Sequence, residues 1–359
     1  MDLLLALAWR IPTALLLIAL ATWGALALWY RGPDAALATT LVVGLWGVIA
    51  AAGLISLCLP GHASARGVCL ALFALGFIGL CVWWHTIMPQ AQRNWAPDVE
   101  RLLDASLDGD IVTLKNVRNF AWHSSREDFT PRWETRTYDL SQLQSVDMVV
   151  SYWMGPAIAH TLVSFGFADG RYLVFSVEVR RTANQKFSPI ADFFKQSELV
   201  LIAADERDIV RTRSNVRGED VYLYRVAMPK AEIRTLFESY IDEAHALQAE
   251  PAFYNTLTSN CTTVIYDMIK RIVPGLPWDY RLLASGYLPQ YVYDLGALDT
   301  SRPFDELQRR GFIDERAIAS DVNGTASDDY SSIIRAGIPA PDGQLIEPEA
   351  AGQSRNNTR

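Results

Sequence analysis

Charge is nearly missing from the first quarter of this 359-residue chain. Residues 1–90 hold five charged side chains: Asp2, Arg10, Arg31, Asp34 and Arg66. The remainder holds 29 Lys/Arg and 38 Asp/Glu. That split excludes a single soluble globule. Thiols are scarce where charge is plentiful: Cys58, Cys69 and Cys81 precede Gln90, and Cys261 stands alone after it. A polar part with one thiol cannot be a disulfide-stapled secreted domain. Its excess of acid over base argues against a nucleic-acid partner. Histidines number five. There is no HExxH or CxxC, no GxSxG elbow and no Gly-rich phosphate loop, so neither a metal nor another cofactor is expected.

What the first part does have is three apolar runs: Ile11–Tyr30, Leu37–Leu59 and Gly67–Met88. Each is charge-free and about 20 residues long, enough for a helix to cross ~30 Å of hydrocarbon. Polar breaks with turn residues separate them at Arg31–Asp34 and Pro60–Gly67. Trp29, Tyr30, Trp83 and Trp84 fall near run ends, where aromatics favour the headgroup layer. A cleaved signal peptide would account for one run, not three. Charge does not orient the spans: Arg10 and Arg66 fall on one side, Arg31 and Arg93 on the other. The three cysteines here read as small packing residues.

The polar part reads as alternating short elements of an α+β domain. Asp98–Leu107 has the spacing of a short amphipathic helix. Asp110–Val117, Ser145–Trp153, Glu198–Ala203 and Val221–Val226 read as strands, and Arg118–Leu140 as polar loop. A short helix starts at Ser188-Pro189, and Pro229–Gln248 reads as a longer one. The last twenty residues, rich in Pro, Gly, Asn and Gln, read as a tail. The sharpest local signal is Ile158–Phe167 and Arg171–Val179, two strand-like runs joined by Ala168-Asp169-Gly170. A three-residue loop ending in Gly suits a type I turn closed by a left-handed glycine. In that register His160 faces Glu178 across the hairpin, with Cβ atoms about 4.5–5.5 Å apart. A carboxylate there can hold the imidazole in one tautomer.

The second signal is Tyr254-Asn-Thr-Leu-Thr-Ser-Asn-Cys-Thr-Thr263 and the run after it. Ser259 or Asn260 suits a helix N-cap, and Val264, Ile265, Met268, Ile269 and Ile272 have helical apolar spacing. Cys261 therefore sits in a first helical turn, where the dipole and free N–H groups favour a thiolate and can help hold an oxyanion. A lone thiol in a polar domain is more often a packing residue. Here a polar cap precedes it, it opens a helix, and a His with an acidic partner lies upstream. His123 competes with His160 for the role of base. His62, His85 and His245 read as bystanders.

Several segments resemble a known family in order: Asn116–Phe120, Phe129–Leu140, Ser151–Pro156, Ala159–Thr161, Ser176–Arg181, Asn215–Gly218 and Tyr254–Thr263. They are similar to the Lnb N-terminal periplasmic domain family, whose namesake is a bacterial lipoprotein N-acyltransferase. The resemblance spans roughly Pro97 to Gly296. It implies a circularly permuted papain-like domain, over residues 91–300, facing the periplasm. Residues 1–90 would be a multi-pass anchor in the bacterial inner membrane, and 301–359 a C-terminal extension with a disordered tail. It further implies that Cys261 takes an acyl chain from a phospholipid. The chain would pass to the α-amino group of a diacylglyceryl-cysteine lipoprotein. His160 would act as base and Glu178 would orient it. Asn260 or Tyr152 would help hold the oxyanion, and Arg118, Arg132 and Arg136 would meet a phosphate headgroup. Two other classes compete: a cell-wall peptidase or amidase with the same Cys–His chemistry, and a non-enzymatic tethered sensor.

Overall fold

A computed structural model describes residues 2–59, 62–90, 92–123, 125, 127–322 and 325–347, with the side chains of residues 2–7, 322 and 325 left aside. Pro60 and Gly61 of the second polar break, and 348–359 of the expected tail, lie outside the described residues. The chain divides into two compact units, residues 1–91 with 188–197, and residues 92–187 with 198–359.

The first unit is built on three long helices: α1 (Asp2–Arg31), α2 (Ala36–Cys58) and α3 (Ala63–Thr86). All three are long and apolar enough to cross a membrane. Helix α3 begins inside the stretch read as a polar break, because Ala63, Ser64 and Ala65 carry nothing that opposes a helix. Leu15, Leu41, Leu45, Val48, Leu72 and Leu75 point outward, as a lipid-facing surface requires. The helices meet around Trp46, which stacks on Phe73 and donates its indole N–H to the Ala21 carbonyl at 2.9 Å. A Cβ on residue 24 would come within 2.8 Å of the Trp46 ring, so only glycine leaves room for it. Ser188–Ser197 belongs to this unit. Its Phe194 stacks on Tyr30, and Lys195 Nζ donates to the carbonyls of Trp84 and Ile87.

The second unit is a mixed α/β domain. Its strands are β1 (Asp104–Asp108), β2 (Ile111–Arg118), β3 (Ala121–Trp122), β4 (Phe129–Thr130), β5 (Trp133–Asp139), β6 (Leu143–Met154), β7 (Ile158–Phe167) and β8 (Tyr172–Arg180). After the short helix α4 (Pro189–Asp192) of the first unit come β9 (Glu198–Ala204), α5 (Glu206–Arg211), β10 (Asp220–Arg225), α6 (Lys230–Ala249) and α7 (Cys261–Ile272). The chain continues through α8 (Leu288–Asp294), α9 (Phe304–Gly311), α10 (Asp314–Ala319), β11 (Asp321–Val322), β12 (Thr325–Ala326) and α11 (Tyr330–Ile333). The main sheet runs β1-β2-β9-β8-β7-β6-β10, with β5 also on β2. All its ladders are antiparallel except the single β2–β9 bridge.

The β7–β8 hairpin has the register expected from its turn. Gly170 sits at φ +78° and its N–H bonds the Phe167 carbonyl, while Leu162 pairs with Ser176 and Gly166 with Tyr172. Two segments differ from expectation. Asp104–Asp108 is a strand, not the end of a helix, because Gly109 at φ +62° reverses the chain so that Ala105 and Leu107 pair with Leu114 and Val112. The polar stretch 118–140 contains β5. Its charges hid it, and they are tolerated because Glu134 and Arg136 are matched to each other.

The two faces of the sheet differ in chemistry. On one, Phe165 and Phe175 pack against Phe237 and Tyr240 of α6, with Ile265 and Met268 of α7. On the other, Val149, Leu162, Val174 and Ile202 meet Ile209, Ile313, Tyr330 and Ile334. Residues beyond 300, expected as an extension, thus pack into the same unit. Arg335 fixes them there. Its guanidinium bonds Asp147 at 2.8 Å and Glu206 at 2.6 and 2.8 Å, with all three side chains at or below 1 % exposure. Removing one partner of such a pair leaves uncompensated buried charge. Arg335→Ala is expected to destabilise the domain by about 3–5 kcal/mol, read as a loss of melting temperature in detergent.

Candidate active site

The site forms where three elements end. Helix α7 starts at Cys261 because Asn260 caps it: its Oδ1 accepts from the N–H groups of Thr262 and Thr263, both at 2.9 Å, and Thr263 Oγ1 accepts from the Asn260 N–H. This capping box fixes the first turn and the direction of the thiol. Strand β7 supplies His160, and β8 supplies Ser176 and Glu178 two residues apart on one face.

The β7–β8 ladder stops at Leu162–Ser176. Just beyond that end the Thr161 N–H and the His160 imidazole face Cys261 and favour its thiolate, and Thr262 Oγ1 lies 3.9 Å from Sγ. Cys261 packs with the apolar face, whereas His160 alternates with Leu162 and so belongs to the other. The end of the ladder is what lets them meet. Cys261 is buried, and His160 is half-buried with its side chain 17 % exposed.

Glu178 meets the imidazole as the register suggested, but Ser176 is the nearer partner. His160 Nε2 lies 2.8 Å from Ser176 Oγ and 3.4 Å from Glu178 Oε1, and the Ser176 hydroxyl donates to that carboxylate oxygen at 2.7 Å. The serine is therefore the main link. Arg213, 4 % exposed, donates to the same oxygen at 2.7 Å. Neither Ser176 nor Arg213 was singled out from the sequence as a site residue. Ser176 was within reach: it shares a strand face with Glu178 and opens one of the quoted segments. Arg213 comes from the turn after α5, and nothing local ties it to β8.

The charges reinforce one another. Burial alone would push the His160 pKa down, but Glu178 and Cys261 outweigh it and raise it to about 9. Burial would push the Cys261 thiol up, but His160 and the Thr161 N–H bring it below its usual value. Burial would likewise raise Glu178, yet His160 and Arg213 hold it well below the ordinary carboxylate range. The arrangement can keep a thiolate beside an imidazolium at neutral pH, which is the nucleophilic form.

The other residues singled out from the sequence lie elsewhere. Arg118 is buried and bidentate to Asp208 at 2.9 and 3.1 Å. Arg136 bridges Glu134 and Asp205. Arg132 reaches Glu134 at 3.0 Å with its side chain 60 % exposed. Asn260 Nδ2 donates to the Thr256 carbonyl, so its whole amide is engaged in the cap. The Tyr152 hydroxyl donates to the Gly286 carbonyl at 2.5 Å, and its ring lines a polar cavity of 570 Å³ with Trp153 and Arg217. His123, the rival base, bonds Thr130 at 3.0 Å on an exposed two-stranded hairpin. Among the described residues no cluster of His, Cys, Asp and Glu could hold a metal ion.

Residues 129–286 match the family model described as the Lnb N-terminal periplasmic domain. The matched stretch includes His160, Ser176, Glu178, Arg213 and Cys261, and agrees with the family resemblance read from the sequence. No curated protein and no solved structure matches the chain. The stretch similar to this periplasmic domain family follows three helices that are long and apolar enough to cross a membrane.

Two outcomes follow. The linkage of His160 and that of Cys261 have opposite signs. The raised histidine contributes stability fully present below its ordinary 6.5 and lost as pH rises through about 9, while the lowered cysteine contributes more as pH rises toward its ordinary 9.0. They offset across that window, so thiol reactivity is the sensitive measure. Alkylation of Cys261 should already rise at a pH below the ordinary thiol value of 9.0. In His160→Ala it should rise only toward the ordinary thiol range. Ser176→Ala should slow alkylation about tenfold at neutral pH, the cost of one hydrogen bond in a charged chain.

Proposed function

We propose that the chain is a thiol-dependent acyltransferase of the bacterial inner membrane, with its domain in the periplasm and a circularly permuted papain-like arrangement of Cys261, His160 and Glu178. The observation that carries this reading is the approach of half-buried His160 to buried Cys261, backed by Ser176, Glu178 and Arg213.

In the first half-reaction the Cys261 thiolate attacks the carbonyl carbon of a phospholipid ester. The C–S bond forms, the C–O bond breaks, and the leaving oxygen takes the His160 proton. With Nε2 turned to Ser176, Nδ1 is the nitrogen that serves the thiol and the reacting groups. In the second half the α-amino group of a diacylglyceryl-cysteine lipoprotein attacks the thioester. The C–N bond forms, the C–S bond breaks and His160 recovers a proton from the amine. The thiolate–imidazolium pair is restored, so no external proton carrier is required.

Glu178 and Arg213 act as positioning residues through Ser176. Of the three arginines expected near a headgroup, Arg132 keeps an exposed guanidinium for it, while Arg118 and Arg136 are committed to buried or half-buried carboxylates. An exchange of acyl groups between two lipid-borne substrates suits a domain tethered by membrane-spanning helices, since both substrates stay at the bilayer surface.

The test is to incubate the purified full chain with phospholipid vesicles and weigh the intact protein. A mass gain of one acyl chain on Cys261, discharged by a diacylglyceryl-cysteine peptide as an amide, is expected. Cys261→Ser should abolish both steps, and His160→Ala should slow them by about 10²–10⁴-fold. Cleavage of cell-wall peptides with no acyl group ever found on Cys261 would overturn the reading in favour of a peptidase.

A further inference from the structure

Next to the thiol lies an apolar cavity of 450 Å³, within the 300–1,000 Å³ or so usual for small-ligand sites. Two of its walls begin at the reactive pair: Thr161 follows His160 on β7, and Thr262 follows Cys261 on α7. The link to the sulfur is short, since Thr262 Oγ1, 3.9 Å from Cys261 Sγ, belongs to a lining residue. From there one stripe of α7, through Ile265 and Ile269, faces Val163 of β7 and Met148 of β6.

Several of the polar groups around this cavity are turned to other partners. The Tyr266 and Tyr291 hydroxyls donate to the carbonyls of Leu276 and Pro277, and Asp147 is held by Arg225 and Arg335. Thr161 Oγ1 differs: it is buried at 1 % exposure and has no hydrogen-bond partner among the described residues. An unpaired hydroxyl at this depth is costly. It stands at the thiol end of the cavity and nowhere along its apolar length. An occupant with one hydrogen-bond acceptor at its head and a hydrocarbon body satisfies both features.

We propose that this cavity is the acyl-chain site of Cys261. A fatty acyl group joined to Sγ places its carbonyl beside the Thr161 hydroxyl and lays its chain along α7 toward Ile269. This rests on the acyltransferase reading and adds to it a binding site and a determinant of chain length. Each methylene that fits should improve occupancy by up to about fourfold, until the chain reaches the far wall.

The experiment uses the full chain in detergent with Cys58, Cys69 and Cys81 replaced by Ala, and alkyl methanethiosulfonates of increasing length as probes. These reagents disulfide-link to any reactive thiol, releasing methanesulfinate, so they read the cavity whether or not Cys261 accepts acyl groups from lipid. The rate at Cys261, relative to the methyl reagent, is expected to climb with chain length to a maximum. Ile269→Trp, which fills the cavity from its half-buried wall, should leave the methyl rate unchanged and cut the decyl-to-methyl ratio at least tenfold. Ile269→Ala should move the maximum to longer chains, and it serves as the test if the Trp variant melts early. A ratio that ignores chain length, or is the same in the parent and both variants, overturns the proposal. A normal ratio without acyl transfer from phospholipid would instead sink the acyltransferase reading and leave the hydrocarbon site standing.

Discussion

A charge taken out of water must be met by another charge or by a full set of hydrogen bonds, and one face of this sheet is organised around that demand. Glu178 Oε1 receives the Ser176 hydroxyl and the Arg213 guanidinium and faces the His160 imidazole. Further along, Asp147 and Glu206 close around Arg335, and Asp208 around Arg118. The opposite face, under α6 and α7, is packed with aromatic and aliphatic side chains. The domain is held by apolar burial on one side of the sheet and by paired charge on the other.

That asymmetry explains where the thiol is. Cys261 arrives from the apolar layer with a capped helix behind it, and His160 arrives from the charged layer with a carboxylate behind it. A continuous β7–β8 ladder would keep them apart. Its end at Leu162–Ser176 leaves Thr161 and His160 unpaired with β8 at the point where Cys261 approaches. The apolar cavity adjoins the same point, so the reactive sulfur lies between a charged relay and a hydrocarbon-lined space. A reaction that moves a fatty acyl group needs both.

Much of this was legible in the chain because it depends on near neighbours. The Ala168-Asp169-Gly170 turn sets the hairpin register, and so brings His160 and Glu178 to one face. Asn260 and Thr263 define the start of α7. Edge strands were harder to read. The helical spacing around Asp98–Leu107 concealed β1, and the charges of Trp133–Asp139 concealed β5, because both take their identity from pairing with β2.

By itself the sequence determined three membrane-length helices, an α+β domain and a thiol at a helix start, since composition, turn chemistry and capping act over a few residues. The tertiary structure decided that Ser176 stands between His160 and Glu178, that Arg213 supports them, and that residues beyond 300 close the charged face. The last two join groups 35 and 188 positions apart, in Arg213–Glu178 and Arg335–Asp147. No local pattern encodes them. They form because each buried charge must find its partner once the sheet has closed.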